Sequence, residues 1–574
     1  MNRGESRILN NLDIDNNILK SNGKKNLTIL ATTDVHGNIW GYNYENDEET
    51  KNNGMARVYS YVEKVRAENP NTILVDNGDI IQGTILTDYI YNKQSGEHPV
   101  ISAMNYMGYE AMVLGNHEFN VDLDLISRMK EQGDFPLLSA NTTYKKNGEN
   151  FVEPYIIIEI SGMKVGIIGL TTPNVPRWVG DKVEELNFHG LGETARKYVN
   201  EIKDEVDVIM VMAHASMEAE YDKKSHNDAA NRVLDLCPEV DILMTGHFHI
   251  TIEDKIGKAL VGGSTDSGRE VVRFDLTLDE NNNVVDSQVK VIDMKNYIPS
   301  EKLRQLPIVR QAHEKTVDFT TGEVYGRAWK DFQPIDEIKW IPQGKLQDTP
   351  IINLINKVQL LNSGADVSST SLIRDDSDIK AGNINYGSIV NIYKFDTLLY
   401  VVEVTGAELK EYMEWVASAY NQWKPGDISI SFSMDIPGYL YDMFAGVDYN
   451  IDISKSVGQR IVDVMFKGNP LEDERTIKLA ISDYAYFTTL KARNIVKNNY
   501  IWKSNNLVKD MLVKYIAEQG VIEPEVSNNW EIVGVNLESP YREQVINMVN
   551  KGEIDVPYNH SLNIYELRKT GIIK

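Results

Sequence analysis

The chain contains almost no cysteine. Among its 574 residues only Cys237 carries a thiol, so an internal disulfide framework is excluded. Because Cys237 directly precedes Pro238, it is typical of a residue that fills the core rather than a nucleophile. One sulfur cannot build a thiolate metal site either. Any bound metal must be held by nitrogen and oxygen ligands, which favours Zn, Mn, Fe, Co or Mg over an iron–sulfur cluster.

Long apolar runs are also missing. No run approaches the ~18–20 residues that a membrane-spanning helix needs, so we predict no membrane segment. Residues 1–26 form a polar tail without the apolar centre of a secretory signal. This tail predicts a cytoplasmic protein, and an exported form stays open if the chain was processed or engineered.

Positive charge is scarce. The chain has 59 Lys and Arg against 84 Asp and Glu, which gives a formal net charge of −25. Binding to nucleic-acid polymers depends on basic side chains, so this balance argues against such a partner. A small phosphorylated substrate is still compatible, because bound metal ions would supply the local positive potential.

The chain does have a series of metal-ligating residue types directly after apolar runs that read as buried β-strands. The runs are LTILATT, TILVDNG, MVLG, VIMVMA and DILMTG. In open α/β sheets, ligands collect outside the carboxyl ends of the strands. For any one of these residues alone a structural role is the better interpretation, but coincidence at five strand ends favours a metal site. The residues are Asp34, His36, Asp79, Asn116, His117, His214, His247 and His249.

The chain is too long for one core. Strand-like runs alternate with amphipathic helical stretches from Leu27 to about Met294, which predicts a layered α/β domain. We predict a polar N-terminal tail at 1–26, a catalytic domain at 27–296, a connector at 297–345, an α+β domain at 346–537 and a C-terminal tail at 538–574.

The residue types at the strand ends indicate a particular chemistry. Two metal ions about 3.5–4 Å apart can clamp the attacking and leaving oxygens of a phosphoryl displacement and lower the pKa of bridging water. Such a site shares one carboxylate between its ions, and Asp79 in a Gly-Asp turn is well placed for that role. The pattern predicts a metal-dependent hydrolase.

At these residues the chain resembles the calcineurin-like metallophosphoesterases. The matching elements are Asp34-Val-His36-Gly, Gly78-Asp79, Gly115-Asn116-His117-Glu118 and Gly246-His247-Phe-His249, and as an ordered set they are highly specific. With a second domain present, the resemblance extends to the 5′-nucleotidase superfamily and its 2′,3′-cyclic-nucleotide 2′-phosphodiesterase/3′-nucleotidase branch. It implies an α/β fold: a β-sandwich flanked by helices, followed by an α+β substrate domain.

The resemblance also implies roles for residues. One divalent ion (Mn, Zn, Co, Fe or Mg) is expected on Asp34, His36, Asp79 and His249, and a second on Asp79, Asn116, His214 and His247. His117, next to Asn116, would stabilise the transition state or protonate the leaving oxygen. The related 5′-nucleotidases place an Asp three residues after this His, whereas here the position is Asn120. Asp122 is the alternative partner.

Substrate recognition in this family comes from the second domain, which grips the base between two aromatic rings. Tyr441 and Tyr484 are the candidates, with plain packing as the alternative for each. Arg374 aligns with a substrate-binding arginine, yet its acidic neighbours Asp375 and Asp376 are an equally plain use for it. Thr172–Trp178 matches a segment of the cyclic-phosphodiesterase branch, and ordinary loop packing is the alternative.

The expected function is hydrolysis of a small nucleotide, either a 2′,3′-cyclic phosphate or a 3′-monophosphate. A 5′-nucleotidase is the nearest alternative, because it uses the same chemistry. A metal-containing nucleotide-binding protein without activity is the alternative from another class. The sequence does not determine the oligomeric state, the metal identity or the base preference.

Overall fold

The computed structural model describes residues 24–433, 436–556 and 559–573. Most of the predicted N-terminal tail therefore lies outside the described residues. The chain divides between Asp318 and Phe319 into two compact units. Within the described ranges, no helix has the length and apolar character needed to cross a membrane.

The N-terminal unit alternates strands and helices. Its strands are β1 Lys25–Thr32, β2 Tyr42–Asn43, β3 Glu48–Glu49, β4 Thr72–Asp76, β5 Ala111–Val113, β6 Leu137–Leu138, β7 Thr142–Tyr144, β8 Tyr155–Ile160, β9 Met163–Thr171, β10 Leu186–Phe188, β11 Val208–His214, β12 Ile242–Thr245, β13 Ile252–Ile256, β14 Ala259–Gly263, β15 Glu270–Leu278 and β16 Val284–Asp293. Its helices are α1 Met55–Glu68, α2 Pro99–Met107, α3 Leu123–Gln132, α4 Val175–Val179, α5 Leu191–Ile202, α6 Asn231–Leu236 and α7 Glu301–Arg304, and α8 Pro307–Thr321 contains the division.

Two six-stranded sheets form the centre of this unit. The first has the order β16-β15-β1-β4-β5-β6 and the second β13-β14-β12-β11-β9-β8. In the first sheet β1, β4, β5 and β6 run parallel, and in the second β9, β11, β12 and β14 do. Apolar residues of both sheets, such as Ile29, Val75, Val165 and Met210, share one buried cluster. Helices α5 and α6 cover the other face of the second sheet. The predicted sandwich flanked by helices is confirmed.

The C-terminal unit is α+β, as predicted. Its strands are β17 Gly326–Ala328, β18 Val367–Ser371, β19 Gly382–Ile384, β20 Leu398–Thr405, β21 Asp442–Ala445, β22 Asp448–Asp452, β23 Ile461–Phe466, β24 Asn469–Pro470, β25 Thr476–Ser482, β26 Tyr500–Leu507, β27 Val521–Ile522 and β28 Trp530–Val533. Its helices are α9 Pro350–Ser363, α10 Tyr386–Ile392, α11 Gly406–Ala417, α12 Asp483–Ala485, α13 Val508–Gln519, α14 Arg542–Asn550 and α15 Ile564–Lys569.

A five-stranded sheet, β21-β18-β25-β20-β26, is the largest sheet of the C-terminal unit. Strand β17 lies inside the segment predicted as connector and pairs with β19 and β27. Residues predicted as a polar C-terminal tail also contribute to this core, because Val545, Leu562 and Leu567 are buried in it.

Candidate metal centre

The parallel strands of both sheets deliver the candidate ligands to one edge. Asp34 follows β1 and Asp79 follows β4 in the first sheet, while His214 ends β11 and His247 follows β12 in the second. The carboxyl ends of parallel neighbours share an edge, and the two sheets pack face to face. Residues that are up to 215 positions apart in sequence therefore meet.

Left-handed backbone is concentrated at these residues. Non-glycine residues rarely adopt a positive φ, and such strain gathers at functional sites because the surrounding fold must impose it. The turns at the strand ends thus adopt a strained backbone conformation that directs their side chains into the site. The residues are Asp34 (φ 53°), His36 (52°), Asp79 (58°), His247 (73°) and His249 (54°).

Gly115 shows how tightly the turns approach one another. A Cβ added at Gly115 would lie 2.2 Å from Asp79 Oδ1 and 2.5 Å from the Asp79 nitrogen. Any side chain at this position would displace the Asp79 carboxylate. The glycine before Asn116 is therefore required by the close contact between the ends of β4 and β5.

Asp34, His36 and His249 form one group of ligand atoms. His249 Nε2 lies 3.3 Å from Asp34 Oδ1, and His36 Nε2 lies 3.2 Å from His249 Nε2. Asp34 itself is completely buried. Three such atoms within 4.8 Å of one another can hold a metal ion.

A second group contains Asp79, His214 and His247. His214 Nε2 lies 3.1 Å from Asp79 Oδ2 and 3.1 Å from Asn116 Oδ1. It also lies 3.9 Å from Asp34 Oδ1, which brings this group next to the first. The structure thus gathers all seven predicted ligands, and their role as ligands stays a prediction.

The orientation of the imidazoles fits metal ligation. His36 Nδ1 and His214 Nδ1 each lie 2.7 Å from a backbone carbonyl oxygen, of Gln82 and Asn77 respectively. A carbonyl only accepts, so each Nδ1 carries a proton and each Nε2 faces the carboxylates, where its lone pair can reach a metal ion once the ring is neutral. Metal-ligating histidines have this arrangement, in which the second ring nitrogen donates to an outer partner.

Glu220 supplies the outer partner of His247. Its Oε2 lies 3.3 Å from His247 Nε2, which leaves Nδ1 as the nitrogen available to a metal. Asn174 Nδ2 donates to the same carboxylate over 3.3 Å. The sequence interpretation missed Glu220, because it lies in a loop without any motif.

The negative charge of the buried carboxylates favours bound cations at the site. Neither Asp34 nor Asp79 contacts a Lys or Arg side chain within the part of the chain that the structure describes. Burial raises the pKa of Asp79, but the imidazoles of His214 and His117 hold it well below its usual value. Burial lowers the pKa of His214, but Asp79 and Asp34 raise it to about 10. Two buried anions surrounded by imidazole nitrogens fit divalent metal ions, which would replace the imidazole protons.

His117 lies at the margin of the cluster, with Nε2 3.9 Å from Asp79 Oδ2. Its Nδ1 contacts two amides, Gln82 Oε1 at 2.6 Å and Asn120 Nδ2 at 2.8 Å. The amides of Gln82 and Asn120 thus occupy the place of the expected carboxylate. The alternative partner Asp122 is wrong, because its side chain accepts a hydrogen bond from Leu125 N at 2.8 Å and caps α3.

Glu118 is a second residue that sequence reasoning did not assign. Its fully buried carboxylate accepts hydrogen bonds from four backbone N–H groups on the ends of β4 and β5. It therefore fixes the turn that carries Asp79 against the turn that carries Asn116. The donors are Gly115 (2.7 Å), Asp79 (2.9 Å), Ile80 (2.9 Å) and Ile81 (3.4 Å).

The Thr172–Trp178 segment reaches the metal centre. The Trp178 ring lies with its centroid 5.3 Å from that of His247. A few residues further along, in the 3₁₀ turn Gly180–Val183, Lys182 donates a hydrogen bond to the Asn120 carbonyl. Trp178 thus lies on the His247 side of the site, and Lys182 contacts Asn120, the partner of His117.

The predicted substrate residues differ in their exposure to solvent. Tyr441 is only 1% exposed and packs against Phe432 and Tyr420, so it offers no free face for stacking in this structure. Tyr484 is 43% exposed, and its ring lies edge-on to that of Tyr439, 40% exposed, with 6.3 Å between centroids and 62° between ring planes. Tyr439, two residues before the expected one, was missed.

Arg374 forms a two-pronged ion pair with Asp376, Nε to Oδ1 at 2.9 Å and Nη2 to Oδ2 at 2.7 Å. The structure therefore shows the alternative expected from the sequence, in which Arg374 pairs with an acidic neighbour. A substrate role for Arg374 would require this fork to open.

Comparison with known families agrees with this geometry. The calcineurin-like phosphoesterase family matches residues 27–251, and the 5′-nucleotidase C-terminal domain family matches residues 338–491. The chain belongs to the calcineurin-like phosphoesterases that carry a 5′-nucleotidase C-terminal domain. It is a hydrolase that acts on phosphoesters, and the alternative of a binding protein without activity is not retained.

Relatives of this phosphoesterase cover most of its length. A 2′,3′-cyclic-nucleotide 2′-phosphodiesterase/3′-nucleotidase from Salmonella typhimurium is 27% identical over 89% of this chain and 90% of its own. The trifunctional nucleotide phosphoesterase YfkN of Bacillus subtilis is 28% identical over 89% of this chain, which spans only 39% of that protein. The crystal structure of a 5′-nucleotidase precursor from Thermus thermophilus shares the fold, with a TM-score of 0.64, 21% identity, and coverage of 89% of this chain and all of that one.

Metal binding to this phosphoesterase is expected to release about one proton per chain at pH 7. With a pKa of about 10, His214 is protonated at neutral pH in the metal-free chain, and only the neutral imidazole can ligate. Apparent affinity for Mn²⁺ should therefore rise by up to about tenfold per pH unit between roughly pH 7 and 9. Titration calorimetry in two buffers of different ionisation enthalpy measures the release, and equal heats in both would contradict it.

Proposed function

We propose that this phosphoesterase opens 2′,3′-cyclic nucleotides and hydrolyses 3′-mononucleotides, using two divalent ions drawn from Mn, Zn, Co, Fe and Mg. The observation that carries this proposal is the gathering of seven candidate ligands in one cluster: Asp34, His36, Asp79, Asn116, His214, His247 and His249. The near full-length similarity to the Salmonella enzyme supports the choice of substrate. A 5′-nucleotidase stays the second candidate, because the chemistry at the cluster is the same.

Each group of ligands has an assigned place in this proposal. Asp34, His36 and His249 would hold one ion, Asn116, His214 and His247 the other, and Asp79 both. When bound, the ions activate water and neutralise charge that develops on the phosphoryl oxygens. His117 is held through Nδ1 by Gln82 and Asn120, so Nε2 faces the cluster, where it can give a proton to the leaving oxygen.

Recognition of the base is assigned to Tyr439 and Tyr484 rather than to Tyr441. Both rings are exposed and lie next to each other, edge to face, in the C-terminal unit. A base stacked on an aromatic ring gains about 1–3 kcal/mol, and such stacking accepts any base. The assignment therefore favours several nucleotides of different base over one.

The test is a comparison of kcat/KM for 2′,3′-cyclic AMP, 3′-AMP and 5′-AMP with added manganese. We expect the first two to be hydrolysed faster than 5′-AMP. Tyr439→Ala should raise KM about 5- to 100-fold, since one stacking face is lost. Tyr565→Ala, which removes another exposed ring of the same unit, is the matched control. Faster release from 5′-AMP would overturn the choice of substrate.

A further inference from the structure

The two proposed ions would meet unequal sets of ligands. The first ion has a carboxylate of its own, Asp34, in addition to the shared Asp79. The second ion has the shared carboxylate alone, and its remaining ligands, Asn116, His214 and His247, are neutral when they ligate. Because opposite charges attract, the second ion would be bound less firmly unless negative charge reached it from outside its ligands.

Glu220 supplies a carboxylate on the side of the second ion. Its Oε2 lies 3.3 Å from His247 Nε2, and its side chain is 19% exposed. The corresponding outer partners of His36 and His214 are backbone carbonyl oxygens, which carry no net charge. A carboxylate bound to the second ring nitrogen raises the basicity of a ligating imidazole. His247 is therefore the strongest donor of these three histidines.

The fold holds Glu220 in this position. Asn174, 7% exposed, donates through Nδ2 to Glu220 Oε2 at 3.3 Å and to Asp228 Oδ2 at 3.0 Å. Asp228, 2% exposed, also accepts a hydrogen bond from Tyr221 N at 2.8 Å, and this bond anchors the loop directly after Glu220. The carboxylate is thus placed before a metal ion arrives, which lowers the entropic cost of binding the ion.

We propose that Glu220 is a positioning residue that sets the occupancy of the second metal site. It orients His247 with Nδ1 toward the ion, and it supplies negative charge that the neutral ligand Asn116 lacks. This inference rests on the two-ion assignment of the proposed function. Among the described residues, no hydrogen bond or ion pair joins Glu220 to the ligands of the first ion. Loss of Glu220 should therefore weaken the second ion and leave the first in place.

Titration calorimetry of the metal-free full chain with Mn²⁺ tests this role. In Glu220→Ala the second binding step should weaken about 10- to 100-fold, the usual cost of removing an outer partner, while the first step is unchanged. Glu220→Gln should lose less, because its amide oxygen can still accept from His247 Nε2, and it decides the question if Glu220→Ala does not fold. Glu218→Ala, which removes an exposed glutamate two residues earlier, is the matched control and should bind like the wild type.

Anomalous diffraction from manganese-loaded crystals of Glu220→Ala shows which site is emptied. The peak beside Asn116, His214 and His247 should lose height relative to the peak beside Asp34. Unchanged affinities, equal loss at both sites, or selective loss of the Asp34 peak would overturn the role of Glu220 and leave the proposed function intact. A wild-type chain that binds fewer than two ions would instead overturn the two-ion assignment of the proposed function.

Discussion

Asp79→Asn is expected to lower kcat by about a thousandfold or more. The bridging ligand supplies negative charge to both proposed ions, whose stabilisation of the transition state amounts to several kcal/mol. The amide keeps the size of the side chain and can still accept the hydrogen bond from His117 N, 2.7 Å from Oδ1. The fold should survive while the charge is lost. Steady-state kinetics with metal analysis of the purified variant measures the effect.

Asp122→Asn is the matched control for this substitution. It makes the same chemical change in the same unit, but Asp122 caps α3, and asparagine caps equally well. Metal content and kcat should stay at wild-type values. An Asp79→Asn variant that keeps both its metal and its activity would show that Asp79 is not a shared ligand.

His117→Ala is expected to lower kcat by about 10²- to 10⁴-fold, the usual contribution of a positioned proton donor. The metal content should be unchanged, because His117 lies at the margin of the cluster, 3.9 Å from Asp79 Oδ2. This combination separates it from the Asp79 variant. His189→Gln, which alters a histidine outside the motifs, should leave kcat intact. Loss of metal together with activity would instead make His117 a ligand, which its proximity to His36 and Asp79 allows.

Much of the fold could be predicted because its strands are buried on both faces. The run TILVD is apolar at Ile73, Leu74 and Val75, and the structure buries every residue of β4. The site followed from the same logic, since parallel strands put Asp34 and Asp79 at one edge. The sequence pattern could not predict how the second sheet packs against the first, and this packing brings His214 Nε2 to 3.1 Å from Asp79 Oδ2.

The residues that were missed act through local geometry or long-range packing. Tyr441 directly precedes β21 and points into the core, while Tyr439 lies in a 3₁₀ turn and stays exposed. An aromatic pattern of YLY does not say which ring faces out. Asp122 could have been recognised as a helix cap, because it comes directly before an amphipathic run. Glu220 gave no such signal, since only tertiary packing brings it to His247.

The most direct test of the central claim is anomalous diffraction from crystals of the manganese-loaded chain. We expect two manganese peaks about 3.5–4 Å apart, both within ligand distance of Asp79. One peak should lie against Asp34, His36 and His249, and the other against Asn116, His214 and His247. Peaks located away from these side chains, or a single peak that does not touch Asp79, would contradict the account.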